Sequence, residues 1–169
     1  MPKLVNCFYL LSENRITKFD FSESFFNINE TNQMKMEITR IEEPYVFEFA
    51  DSQGHSILMD SSSDMEGKNR GMTPMQVLLG SLMGCMSIDI ILVLKKQKIS
   101  PENYKVEAIT KKKEGVPSPY DKIHFVIAID KDIELKRIHR AVDLSLEKYC
   151  SVRSCLKDEI EISYEINPV

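Results

Sequence analysis

Residues 73–96, TPMQVLLGSLMGCMSIDIILVLKK, are apolar almost without interruption. A run of about 20 such residues either crosses a bilayer or forms the buried central helix of a soluble domain. Asp89 lies near its centre, where a carboxylate is costly in lipid. The rest of the chain offers no second span, so the run reads as a central helix and no membrane partner is expected. Its start is written in the sequence. Thr73 suits the N-cap, Pro74 the first helical position, and Gln76 completes a capping-box pattern. The helix is expected to reach about Gln97, before the break at Ser100-Pro101.

Inside that helix Ser81, Cys85 and Asp89 recur every four residues and share one stripe. Gly80, Gly84 and Ser87 form a second, small-residue stripe. Each interior glycine costs about 1 kcal/mol relative to alanine. Two of them predict close approach of another backbone, either the 134–149 helix or its copy in a partner chain. On the helix alone, Cys85 reads first as a small buried apolar residue.

Upstream, KMEITRI, YVFEFA and HSILMD read as a three-strand meander, broken at Glu42–Pro44 and turned at DSQG. Residues 61–72 are polar and read as a loop. Downstream, NYKVEAITKKKE and DKIHFVIAID are strands joined by the proline-containing turn GVPSPY. DIELKRIHRAVDLSLEKY carries Leu135, Ile138, Val142 and Leu146 at helical spacing, with Asp132 as its expected cap. A short helix near Ser151–Asp158 and the strand EIEISYEI close the order βββ-α-ββ-α-(α)-β. This is an α+β chain with antiparallel sheet and helices on one side. Residues 1–33 stand apart as an N-terminal extension. They read either as an extra strand or arm, or as a leader ahead of a start at Met34.

The 169 residues suit one domain with a sizeable core. A net charge of −4 argues against a nucleic-acid partner, because phosphate contacts need a basic face. The amino-terminal stretch lacks the pattern of a secretory signal. Cys7, Cys85, Cys150 and Cys155 are too sparse for a disulfide scaffold and point to a reducing, cytoplasmic compartment. Cys7 and Cys155 read as structural or incidental.

Cys150 lies in EKYCSVRSCL, at the end of one helix and the start of the next. The helix N-terminus and Arg153 are expected to favour its thiolate. Cys150 and Cys155 do not form a CxxC pair. His55, His124 and His139 lack paired ligands, so neither metal nor cofactor is expected. His139 and Asp143, one turn apart, read as a surface pair.

A proline near the start of a long apolar helix, a cysteine eleven residues later and an aspartate four beyond, TPMQVLLGSLMGCMSID, resemble the first signature of the OsmC/Ohr family. AVDLSLEKYCSV resembles the second. GHSILMD resembles the less-characterised OsmC-like subgroup more than the organic hydroperoxide resistance proteins. The resemblance covers 34–169 as an OsmC-like domain.

It implies an α+β fold of antiparallel sheets around a long buried central helix, in an intertwined homodimer. It also implies thiol-dependent reduction of hydroperoxides, organic ones preferred. Cys85 would attack the peroxide and become a sulfenic acid, and Cys150 would resolve it to a disulfide. A dithiol reductant, a lipoyl protein in the well-studied branch, would restore both thiols. That branch places a Glu after the proline to hold an activating Arg. Here Met75 and Gln76 follow Pro74. Gln76 can hydrogen-bond but brings no charge, and Arg40, with Arg70 behind it, is the candidate Arg. The departure leaves the two-thiol couple in place. It also keeps open an OsmC-fold protein that senses or binds with little turnover, and, more remotely, an unrelated chain with inert cysteines.

Overall fold

The computed structural model describes residues 34–169, and the extension 1–33 with Cys7 lies outside the described residues. Strands β1 (Met36–Glu42), β2 (Val46–Asp51) and β3 (Ser56–Met59) form an antiparallel meander in the order β1-β2-β3. Its tight β2–β3 turn is built by Asp51, whose carboxylate accepts the backbone N–H groups of Gln53 (2.8 Å) and His55 (3.0 Å). Gly54 supplies the left-handed residue there, at φ 92°.

The polar segment 61–72 is ordered around one carboxylate. Asp60 is only 2% exposed and accepts backbone N–H bonds from Ser61 (2.7 Å), Lys68 (2.8 Å) and Arg70 (3.1 Å). Gly71 passes so near β3 that a Cβ there would meet the Leu58 carbonyl oxygen at 2.4 Å. The segment then re-pairs with β3 through Met72 and delivers the chain to the long helix.

Helix α1 (Pro74–Lys96) begins as its sequence predicts. The Thr73 hydroxyl accepts the Gln76 N–H at 3.3 Å, and the Gln76 side chain accepts the Thr73 N–H at 2.8 Å. Leu82, Met86, Ile90 and Leu94, spaced by four, form a fully buried row. Strand β5 (Tyr120–Ile129) contributes Ile123, Phe125, Ile127 and Ile129 at alternate positions to the same core. Helix α2 (Leu135–Leu144) adds Ile138, Ala141 and Val142. Two hydroxyls pin α1 to the second sheet: Tyr120 donates to the Met75 carbonyl (2.7 Å) and Tyr104 to Ser87 (3.1 Å).

The second sheet differs from the antiparallel expectation. Strand β4 (Tyr104–Lys112) pairs antiparallel with β5, but β6 (Glu161–Pro168) runs parallel to it, from Lys122 beside Glu161 to Ile129 beside Pro168. The cause is the connection. Between β5 and β6 the chain passes through α2 and α3 (Ser151–Ser154), a helical crossover of the kind parallel pairing requires.

Within the single chain the central helix is buried along one row, and Leu78, Ile88 and Leu92 on other faces are exposed. Further expectations change. The glycine face is not where α2 packs, because a Cβ at Gly80 or Gly84 would meet nothing within 4 Å. The predicted 134–149 helix is interrupted, and Ser145–Tyr149 widen into a π turn. Its cap position is occupied by Glu134 rather than Asp132, and the Glu134 side chain pairs with Arg137 instead of capping.

Candidate functional site

The π turn is what builds the site. The Cys150 N–H bonds to the Ser145 carbonyl, five residues back, at 2.9 Å. The wider turn sets Ser145 fully inside the core, opposite the polar stripe of α1. There its hydroxyl donates to Asp89 at 3.0 Å. Cys150 follows as the N-cap of α3, its sulfur accepting the Arg153 N–H at 3.4 Å. One turn before Asp89 on α1 stands Cys85. The two sulfur atoms and a carboxylate oxygen of Asp89 all lie within 4.8 Å of one another.

Cys85 and Cys150 are both free thiols, and they differ in setting. Cys85 and Asp89 are half-buried, whereas Cys150 is 4% exposed. Burial is the main influence on Cys150 and pushes its thiol up to about 11, with the adjacent Cys85 adding to the rise. The Arg153 N–H opposes this and is outweighed. Burial thus works against the thiolate at Cys150 that its place at a helix N-terminus led us to expect. Helix α3 has only four residues and little dipole to offer. The Arg153 guanidinium turns away, to the Leu156 carbonyl (3.4 Å) and Asp158 (3.7 Å).

Of the sequence-derived candidates, the structure brings Cys85 and Cys150 together, with Asp89 beside them. Gln76 serves the helix cap, its side-chain oxygen taking both the N–H and the hydroxyl of Thr73. It also lines a cavity of about 680 Å³ with Leu58, Arg70, Val77 and Ser81. Ser81 is one helical turn from Cys85 and donates to the Val77 carbonyl at 2.9 Å. Arg40 stands exposed on β1, paired with Glu43 at 3.5 Å, and Arg70 approaches Glu42 at 3.8 Å. Among the described residues neither Arg hydrogen-bonds to a thiol.

Ser145 escaped the sequence reading. A serine in an amphipathic helix carries no signal of burial, and its inward setting depends on the π turn. His139 and Asp143 are both on the surface, and the Tyr164 hydroxyl sits between them, donating to Asp143 at 2.6 Å and lying 3.1 Å from the His139 Nδ1. Burial and the Asp143 carboxylate hold that phenol well above its usual range.

A family model described as "OsmC-like protein" matches residues 67–165, which hold both thiols, Asp89 and Ser145. The chain belongs to the OsmC-like protein family. Protein YhfA of Escherichia coli K12 is 34% identical over 119 residues, covering 68% of this chain and 85% of YhfA. Among solved structures, a hypothetical protein from Aquifex aeolicus VF5 is 28% identical with a TM-score of 0.67, over 82% of this chain and 98% of that one. The organic hydroperoxide resistance protein OhrB of Bacillus subtilis shares the fold at a TM-score of 0.58 and 13% identity, over 80% and 98%. Identity is thus higher to YhfA and the Aquifex chain than to OhrB.

Proposed function

We propose that this OsmC-like protein is a thiol-dependent hydroperoxide reductase. The observation that carries the reading is the pair of free thiols within 4.8 Å, one half-exposed and one buried. The Cys85 sulfur attacks the peroxide O–O bond, giving a sulfenic acid on Cys85 and releasing the alcohol. The Cys150 thiol then attacks that sulfur, water leaves, and a disulfide forms. A dithiol of the lipoyl class returns two hydrogens and ends as its own disulfide. Membership of a family that includes hydroperoxide resistance proteins supports this chemistry. The unequal exposure suits it as well, since peroxide meets Cys85 first.

The protein acts as a cytoplasmic homodimer in this reading. Ile88, 63% exposed, lies with Leu92 and Leu78 on faces of α1 that a second copy would cover, and Ile38 and Ile57 of the meander are also exposed.

A second reading, a redox sensor or binding protein with little turnover, is favoured by one observation. Met75 replaces the Glu of the hydroperoxide-resistance branch, while Arg40 and Arg70 are engaged by Glu43 and Glu42. The deciding experiment supplies cumene hydroperoxide and dihydrolipoamide to the wild type and to Cys85→Ser. Sustained consumption that vanishes in the variant supports the reductase. A single stoichiometric oxidation to a Cys85–Cys150 disulfide without turnover supports the sensor.

A further inference from the structure

Two thiols and a carboxylate converge at the site, and the donors that reach them within the chain are neutral. Ser145 offers a hydroxyl to Asp89, and Arg153 offers its backbone N–H to Cys150. Among the described residues Asp89 forms no ion pair with any Lys or Arg. Two sulfur atoms and a carboxylate oxygen within 4.8 Å of one another form a donor set of the kind that holds a divalent cation.

We propose that Cys85, Asp89 and Cys150 bind a thiophilic divalent cation, Zn²⁺ or one of similar softness, through both sulfur atoms and one carboxylate oxygen. Zn–S and Zn–O bonds of about 2.3 and 2.1 Å separate tetrahedral ligands by about 3.5–3.8 Å. The atoms here span at most 4.8 Å, so a side-chain adjustment of about 1 Å closes the shell. Cys85 and Asp89, four apart on α1, already face the same way. Cys150 is held by its capping bond from Arg153.

Ser145 completes the arrangement. Its hydroxyl bonds to the Asp89 carboxylate through Oδ2, the orienting role that outer hydrogen bonds have in metal sites. Two sulfur ligands select a soft ion over Mg²⁺ or Ca²⁺. Since Cys85 and Asp89 are half-exposed, the fourth position opens outward to water or a ligand. On binding, the two thiol protons pass to solvent and no electrons move. The bound ion and a Cys85–Cys150 disulfide exclude each other. The cation site stands on geometry and not on peroxide turnover, so either can fail without the other.

The test is an anaerobic titration of the reduced, chelator-stripped full chain with Co²⁺. One equivalent is expected to bind with a sulfur-to-cobalt charge-transfer band and the intense visible bands of a tetrahedral site, and Zn²⁺ is expected to displace it. Cys85→Ser and Cys150→Ser should each diminish the charge-transfer band, while Cys7→Ser/Cys155→Ser should leave it intact. Asp89→Asn, which keeps the shape, should weaken Zn²⁺ by about tenfold or more. No thiolate–cobalt band in the wild type, a band unchanged in either single Cys variant, a band lost in Cys7→Ser/Cys155→Ser, or unaltered affinity in Asp89→Asn overturns the proposal.

Discussion

The Ser145 hydroxyl donates to the Asp89 carboxylate at 3.0 Å, joining two residues 56 apart in sequence. Ser145 is fully buried, so its hydroxyl makes this bond in place of one to water. Replacing it with alanine removes the bond and leaves a carboxylate oxygen without its donor. Ser145→Ala should destabilise the fold by about 1–2 kcal/mol, read as a lower urea midpoint with unchanged slope.

Asp60 organises the loop that leads into α1. The Arg70 N–H is the largest influence holding its carboxyl below the usual range, with Ser61 and Lys68 N–H groups assisting against the opposing effect of burial. A carboxyl whose folded pKa lies below its unfolded value stabilises the fold above the unfolded value, and that stabilisation fades as pH falls through the folded one. The amide resonances of Ser61, Lys68 and Arg70 should therefore titrate together with a midpoint below that of an ordinary aspartate. Asp60→Asn should abolish that titration, and the loop should become protease-sensitive at neutral pH.

These two residues mark how far the sequence could be read. The Thr73–Gln76 cap and the alternation of β5 were legible because capping and pleat depend on near neighbours alone. The pairing of Cys85 with Cys150 was legible only as a family resemblance, since no spacing rule connects positions on separate elements. Ser145 was hidden because a π turn arises where helix and core compete, and no residue in SLEKY announces it. The parallel setting of β6 was hidden for a related reason. Its alternating pattern fixes a face but not a direction, and the direction came from the crossover. Gly80 and Gly84 lie on a face of α1 that α2 does not meet.

The exposed faces of α1 and its buried row make opposite predictions. Leu82 is fully buried, and Leu82→Ala should cost about 2–5 kcal/mol whatever the assembly state. Ile88 is exposed in the single chain, so in a monomer Ile88→Asp would scarcely matter. In a homodimer it places a charge in the interface. Light scattering at micromolar concentration should give the mass of two chains for the wild type and of one for Ile88→Asp. A wild-type monomer would remove the dimer from the proposed function.

Thiol accessibility separates the cysteines without any peroxide. Cys155 is exposed, Cys85 half-buried and Cys150 buried behind its capping bond. Brief treatment of the reduced, folded protein with iodoacetamide at neutral pH should label Cys155 first, Cys85 more slowly and Cys150 last, as read by peptide mass spectrometry. Attack needs the reagent to reach sulfur, and only local opening of the π turn and α3 exposes Cys150. Ser145→Ala, which loosens that turn, should raise Cys150 labelling about fivefold or more while leaving Cys155 unchanged, because about 1 kcal/mol of lost stability multiplies the open population by that factor. Equal labelling of Cys85 and Cys150 in the wild type would mean that the two thiols share one environment, and the assignment of Cys85 as the thiol that peroxide meets first would lose its structural basis.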